Sequence, residues 1–232
     1  LIVGTTGTGK SWLRGVLLEK IYGMGVPQLI FDPLGAYIAA VGELGGVNLM
    51  YCENFLPSLK ALPINVFEAM LSDVLTPLQL SIAVRAFRRF KYIKNDDPYC
   101  ILRLIGKIAD EMKARDETRK NVIARVESLL RELGYTESGG ELTYYTNRSP
   151  SGYMDEKKLA KYINEIKLLN IDLRGIDDLP LQVTVASVLS QIISLRNEQK
   201  VPPLIVSFDE THRIAPRMHS REIPPSLIVI RN

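Results

Sequence analysis

Residues 4–12 read GTTGTGKSW and follow directly on LIV at residues 1–3. Gly4, Thr5, Thr6, Gly7, Thr8, Gly9, Lys10 and Ser11 satisfy the spacing G-x-x-x-x-G-K-[ST] of a phosphate-binding loop. The glycines let the backbone wrap closely around a phosphate with its N–H groups turned inward, and the helix that follows adds its positive N-terminal end. In such a loop Lys10 reaches the β- and γ-phosphate oxygens and the Ser11 hydroxyl ligates Mg2+. Trp12 closes the candidate nucleotide-binding stretch. A chance glycine- and threonine-rich turn is the bland alternative, and the strand before and helix after argue against it.

The flanking sequence supplies that context. LIVG is a strand entering a tight turn. KSWLRGVLLEKIYG carries Trp12, Val16, Leu17, Lys20 and Ile21 at near-helical spacing, with Gly23 as a C-terminal stop. PQLIFDP is a short apolar run ending in Asp32 and Pro33, which predicts a buried strand with a loop at its carboxyl end. Strand, loop, helix and strand make a βαβ unit, so the class is α/β with a parallel sheet.

LIVSFDE, residues 204–210, reads as the second half of the same site, at the end of a central strand. Asp209 would hold Mg2+ through water, and Glu210, one residue on, could activate an attacking water. An ordinary strand end with two solvated acids is the plainer reading, and it weakens once a phosphate loop is present. The Asp-Glu pair favours hydrolysis over transfer to a small acceptor. Asp32 has two readings, a turn-capping carboxylate before Pro33 or a group beside the phosphate loop at the sheet's carboxyl edge.

Between the two halves the texture is helical. Val122, Val126, Leu129, Leu130 and Leu133 form one stripe closed by Gly134. DEKKLAKYINEI starts on an Asp155 cap and buries Leu159, Tyr162, Ile163 and Ile166. The turn-rich stretch from 134 to 153 predicts a loop or small hairpin. Sheet resumes at NIDLRG, residues 170–175, and the next helix enters near Pro180, with Val183, Val188, Leu189, Ile192 and Ile193 as its apolar positions. The expected division is residues 1–77 and 170–232 as the α/β core, with 78–169 as a helical insertion.

Composition narrows the class less. The chain has 232 residues, 46% of them hydrophobic, and a net charge of +3 that does not argue for nucleic acid by itself. No run of about 18 apolar residues occurs, so no membrane-spanning helix is expected. Cys52 and Cys100 belong to no metal-ligand pattern and fit a reducing, cytoplasmic setting. The phosphate loop at residue 4, with no initiator Met, suggests a piece of a longer protein. Arg85, Arg88 and Arg89 in RAFRRFKYIK share a helical face, either a DNA-phosphate contact or a solvated surface.

GTTGTGKS, FDPLGAY and FDETHRIAP together resemble the HerA/FtsK group of P-loop ATPases, particularly its archaeal HerA-like branch. Asp32, Gly35 and Tyr37 match that group's turn after the second strand, and Asp209, Glu210, His212 and Pro216 match its second acidic motif. Ala36 and Thr211 depart from its commonest residues. INVFEAM and IDLRGIDDLPLQVTVASVLSQIISLRN are also similar. The resemblance implies a RecA-like P-loop fold with a mainly parallel sheet, ATP and Mg2+ as cofactors, and a homo-hexameric ring that moves double-stranded DNA. Partners of the nuclease kind, genome packaging and conjugative transfer are variants within the group. Asp32 and Lys10 would then join Glu210 in catalysis, and Arg221 falls near the arginines that act on a neighbour's nucleotide.

RIAPRMHSREIPPSLIVIRN leaves too little chain for the helix and polar-tipped strand that usually follow the second acidic motif. A P-loop phosphotransferase and a non-hydrolysing nucleotide switch are the competing classes. The adjacent Asp209-Glu210 pair argues against the first, and the intact Lys10, Ser11, Asp209 and Glu210 argue against the second. Neither an Asn-Lys-x-Asp guanine reader nor a Leu-Ser-Gly-Gly-Gln signature is present.

Overall fold

The computed structural model describes residues 10–94, 97–135, 137–138, 141–142 and 154–214. Helix α1 spans Lys10–Gly23, and β1 follows at Gln28–Asp32, fully buried along its length. Then come α2 (Ile38–Glu43), β2 (Val47–Met50), α3 (Ile64–Leu71), α4 (Pro77–Tyr92), α5 (Cys100–Glu111) and α6 (Asp116–Glu132). A short antiparallel pair, β3 (Glu137–Ser138) with β4 (Glu141–Leu142), realises the expected hairpin. The chain continues through α7 (Glu156–Lys161), β5 (Leu168–Asp172), α8 (Asp178–Asn197), β6 (Ile205–Phe208) and α9 (Thr211–Ile214).

The described sheet has the order β2-β5-β1-β6, and every pairing in it is parallel. Continuous apolar runs such as QLIFD and LLNID suit a sheet covered on both faces. Leu18 of α1, Ile30 of β1, Tyr37 and Val41 of the α2 region and Leu168 of β5 close into one cluster. Gly46 enters β2 where a Cβ would come within 2.8 Å of the Leu168 carbonyl oxygen, so only glycine admits that approach. This α/β architecture is that of a RecA-like P-loop domain.

Two local readings differ from expectation. LIVSF was expected in the middle of the sheet, yet β6 is outermost among the described strands and only part-buried. Residues 1–3 and 226–230, the other apolar strand candidates, lie outside the described residues. On α1 it is Leu18 that enters the core, while Trp12 is 74% exposed. Helix α8 is long and apolar enough to cross a bilayer by length and composition alone, and 67% of its apolar window is buried inside the protein. Its apolar run is broken only by uncharged residues such as Gln182, Thr184 and Ser187, and all three are buried within the protein.

Two compact units divide the chain. Among the described residues, one gathers those of 10–51, 156–176 and 192–211 around the sheet, and the other gathers those of 52–155, 177–191 and 212–214. In the second, α4 presents Ile82, Ala83, Ala86, Phe87 and Phe90 inward, and α6 buries the stripe of Val122, Val126, Leu129 and Leu130. Thr76 and Gln79 form a capping box at the start of α4, with Pro77 in its first turn. Phe67 stacks on Phe87 at 4.1 Å between ring centroids, and Phe87 on Phe90 at 6.3 Å. Tyr135 anchors the end of α6 by donating its hydroxyl to the Pro57 carbonyl at 2.7 Å.

In the first unit, α7 ends in a π-helical turn, Tyr162–Ile166, which sequence periodicity does not foresee. Lys167 then takes a left-handed conformation at φ 65°, and its carbonyl accepts the Gln28 amide at 2.7 Å, feeding the chain into β5.

Phe87 is the shared ring of the aromatic stack, so Phe87→Ala should destabilise the protein by about 3–5 kcal/mol, read by urea unfolding. A loss below about 1 kcal/mol would mean that the helical unit repacks around the vacancy.

Candidate functional site

The carboxyl ends of β1, β5 and β6 bring Asp32, Asp172 and Asp209 to one edge of the sheet. Asp32 and Asp172 are register partners, and the Asp209 amide donates to the Phe31 carbonyl at 3.0 Å. In an open parallel α/β sheet this edge is where ligands bind.

Each of the three acids has its own partner. Asp32 is fully buried, and its two oxygens accept the Ala36 amide at 3.0 Å and the Tyr37 amide at 2.9 Å. A buried carboxylate is tolerable only when so satisfied. The FDPLGAY turn is thus built around Asp32, and Gly35 in it sits at φ +72°. A Cβ on Gly35 would fall 2.1 Å from Arg174 Cδ, because the Arg174 side chain crosses there on its way to Asp172. Arg174 Nη2 donates to Asp172 Oδ2 at 2.9 Å, and Nε donates to Oδ1 at 3.0 Å. Behind them, Asn170 donates to Asn48 Oδ1 at 3.0 Å, and Asn48 donates to the Ile38 carbonyl at 3.0 Å.

Asp209 meets Arg14. Nη1 of Arg14 donates to Asp209 Oδ1, while Nη2 donates to the Phe208 carbonyl at 3.2 Å. Arg14 also lies over the Tyr37 ring, 5.1 Å from its centroid. Asp209 Oδ1 accepts the Glu210 amide at 3.0 Å, and Glu210 itself adopts φ +44°. A left-handed glutamate is uncommon, and such outliers cluster at functional sites. Burial pushes the Tyr37 hydroxyl up to about 12, with Arg14 pulling the other way and Asp209 and Asp32 adding to the rise.

Of the residues singled out from sequence, Lys10 and Ser11 form the first turn of α1. Their side chains, Gly4 to Gly9, Pro216 and Arg221 lie outside the described residues. Trp12 is on α1, pointing to solvent. His212 is in α9 and exposed. The basic face of α4 is divided: Arg89 pairs with Glu111 at 2.7 Å, whereas Arg85 and Arg88 line an open groove of about 460 Å3 with Glu68, Ser81 and Leu80. Arg14, Asn170, Asp172 and Arg174 were not singled out. Arg14 had one usable signal, its i+4 spacing from Lys10, which puts both on one helix face.

The chemistry of the site suits a hard cation. Asp209 offers a part-buried carboxylate that already draws a guanidinium. Among the described residues no three His, Cys, Asp or Glu side chains gather as a metal site. One carboxylate together with phosphate and water oxygens is the way Mg2+ is commonly held beside a nucleotide.

A parallel α/β sheet, a phosphate-loop sequence leading into α1 and an acidic pair leaving β6 define a P-loop ATPase of RecA-like fold. The family model described as "Helicase HerA, central domain" matches residues 1–193, and the chain belongs to that family. No curated relative matches the sequence. Among solved structures, VirB4 of Thermoanaerobacter pseudethanolicus matches over 98% of this chain with a TM-score of 0.65 and 17% identity. The chain spans 63% of that VirB4 chain, and at this identity the likeness concerns the fold.

Between pH 10 and about 12 the unfolded chain releases the Tyr37 proton while the folded chain keeps it. Stability should therefore fall as pH rises through that window, and Tyr37→Phe should remove this share of the fall. Urea unfolding from pH 9 to 12 measures it; an unchanged slope in the variant would show that the hydroxyl is solvated. Asp32→Ala strands two amides and should cost about 3 kcal/mol in the same assay at pH 7.

Proposed function

We propose that this chain is the ATP-hydrolysing subunit of a homo-hexameric ring that translocates double-stranded DNA, a HerA-type helicase or pump related to FtsK. The observation that carries the reading is the Asp209-Glu210 pair leaving β6, in a chain whose family is that of the HerA central domain. In this reading the backbone of residues 4–9 and Lys10 hold the ATP phosphates. Asp209 and the Ser11 hydroxyl hold Mg2+, which when bound neutralises charge on the phosphate being transferred. Glu210 takes a proton from the attacking water. Asp32 holds the turn that carries Tyr37, and Arg221 reaches the nucleotide of a neighbouring subunit. A nuclease or other DNA-processing protein is the expected partner.

Genome packaging and conjugative transfer use the same chemistry and are variants of this proposal. The resemblance to VirB4 is compatible with the second of them. A cytoplasmic site of action follows from the same reading.

Double-stranded DNA should raise ATP turnover, and Glu210→Gln should lower it by about 100-fold or more while ATP binding persists. Steady-state phosphate release, paired with equilibrium nucleotide binding and native mass in ATP, checks both statements. Turnover indifferent to DNA of any length or form would remove the motor and leave the nucleotide site.

A further inference from the structure

We propose that Arg14 is a positioning residue that occupies the Asp209 carboxylate until a divalent cation displaces it, coupling cation loading to the conformation of Glu210. The inference rests on the reading of Asp209 as the Mg2+ ligand.

Three contacts hold the Arg14 guanidinium in place. It donates to Asp209 Oδ1, it donates to the Phe208 carbonyl at 3.2 Å, and it lies 5.1 Å from the centroid of the Tyr37 ring. The seat is preorganised, because the amide of Tyr37 is fixed by Asp32 at 2.9 Å and the ring is buried. The Arg14 side chain is itself only 21% exposed. A planar guanidinium suits this combination of carboxylate, carbonyl and aromatic face, and an ammonium does not.

The same oxygen, Asp209 Oδ1, accepts the Glu210 amide at 3.0 Å. Arg14 and Glu210 are therefore joined through one atom. A divalent cation held to that oxygen through its water and the guanidinium beside it repel and need the same acceptor, so the two compete for it. When Arg14 withdraws, Asp209 is free to turn, and the bond that helps hold Glu210 at φ +44° is altered. The acid read as the water-activating base is thereby reset by the arrival of the cation. An Arg14 withdrawn from Asp209 stays on α1, one turn beyond Lys10, on the helix face that starts at the phosphate loop.

The test is Mn2+ binding at saturating non-hydrolysable ATP analogue, followed by electron paramagnetic resonance on the whole chain, in Arg14→Gln, Arg14→Lys, Lys20→Gln and Asp209→Asn. Arg14→Gln should bind Mn2+ about tenfold more tightly than the parent, and Arg14→Lys should fall between the two. Lys20, an exposed cation on the same helix, reports the effect of net charge alone, so Lys20→Gln should stay within twofold of the parent. Parent-like affinity in Arg14→Gln, or an equal gain in Lys20→Gln, overturns the inference. Should Arg14→Gln fail to fold, the intermediate affinity of Arg14→Lys decides the matter by itself. Asp209→Asn separates the two levels. If it abolishes Mn2+ binding while the Arg14 variants leave affinity unchanged, only the role of Arg14 falls. If it leaves Mn2+ binding unchanged, the assignment of Asp209 as metal ligand falls with it.

Discussion

The organising constraint of the sheet edge is the buried carboxylate of Asp32. It sits at the end of β1, the strand that pairs with both β5 and β6. An ionised group with no solvent must find donors, and here they come from the backbone four and five residues further on. Satisfying Asp32 therefore closes the FDPLGAY turn. Closing the turn seats Tyr37, whose ring receives Arg14, and Arg14 reaches Asp209. Contacts run unbroken from the central described strand to the acidic pair.

The parallel order β2-β5-β1-β6 makes this arrangement both necessary and possible. Parallel strands end on the same side, so three aspartates collect at one edge, where their like charges would repel. Each is met by a different device: backbone amides for Asp32, the Arg174 fork for Asp172 and the Arg14 guanidinium for Asp209. Asp172 and Asp209 each also accept one backbone amide, from Arg174 and Glu210, but the cation on Asp209 comes from a helix rather than from its own loop.

Much of the architecture was legible in the chain. The bounds of α1 and β1, the α6 stripe and the 3.6-residue pattern of the helical stretch follow from periodicity and stop residues, because these are local effects of backbone geometry and apolar spacing. Edge effects were less legible. An apolar run such as LIVSF says that a strand is favoured and not which neighbours it has, so the outermost place of β6 among the described strands could not be read from it. Nor does periodicity report the π-helical turn before β5.

The sequence by itself determined the chemistry on offer: a phosphate loop, an Asp-Glu pair after an apolar strand, and a turn beginning with Asp32. Those are fixed spacings along the chain, and each carries its meaning within a few residues. Only the tertiary structure decided how the acids are answered. Arg14 and Asp209 are 195 residues apart, and nothing in their local sequence pairs them. They meet because α1 packs beside β1 through Leu18 and Ile30 while β6 lies against β1, and a parallel sheet delivers its carboxyl ends to one place.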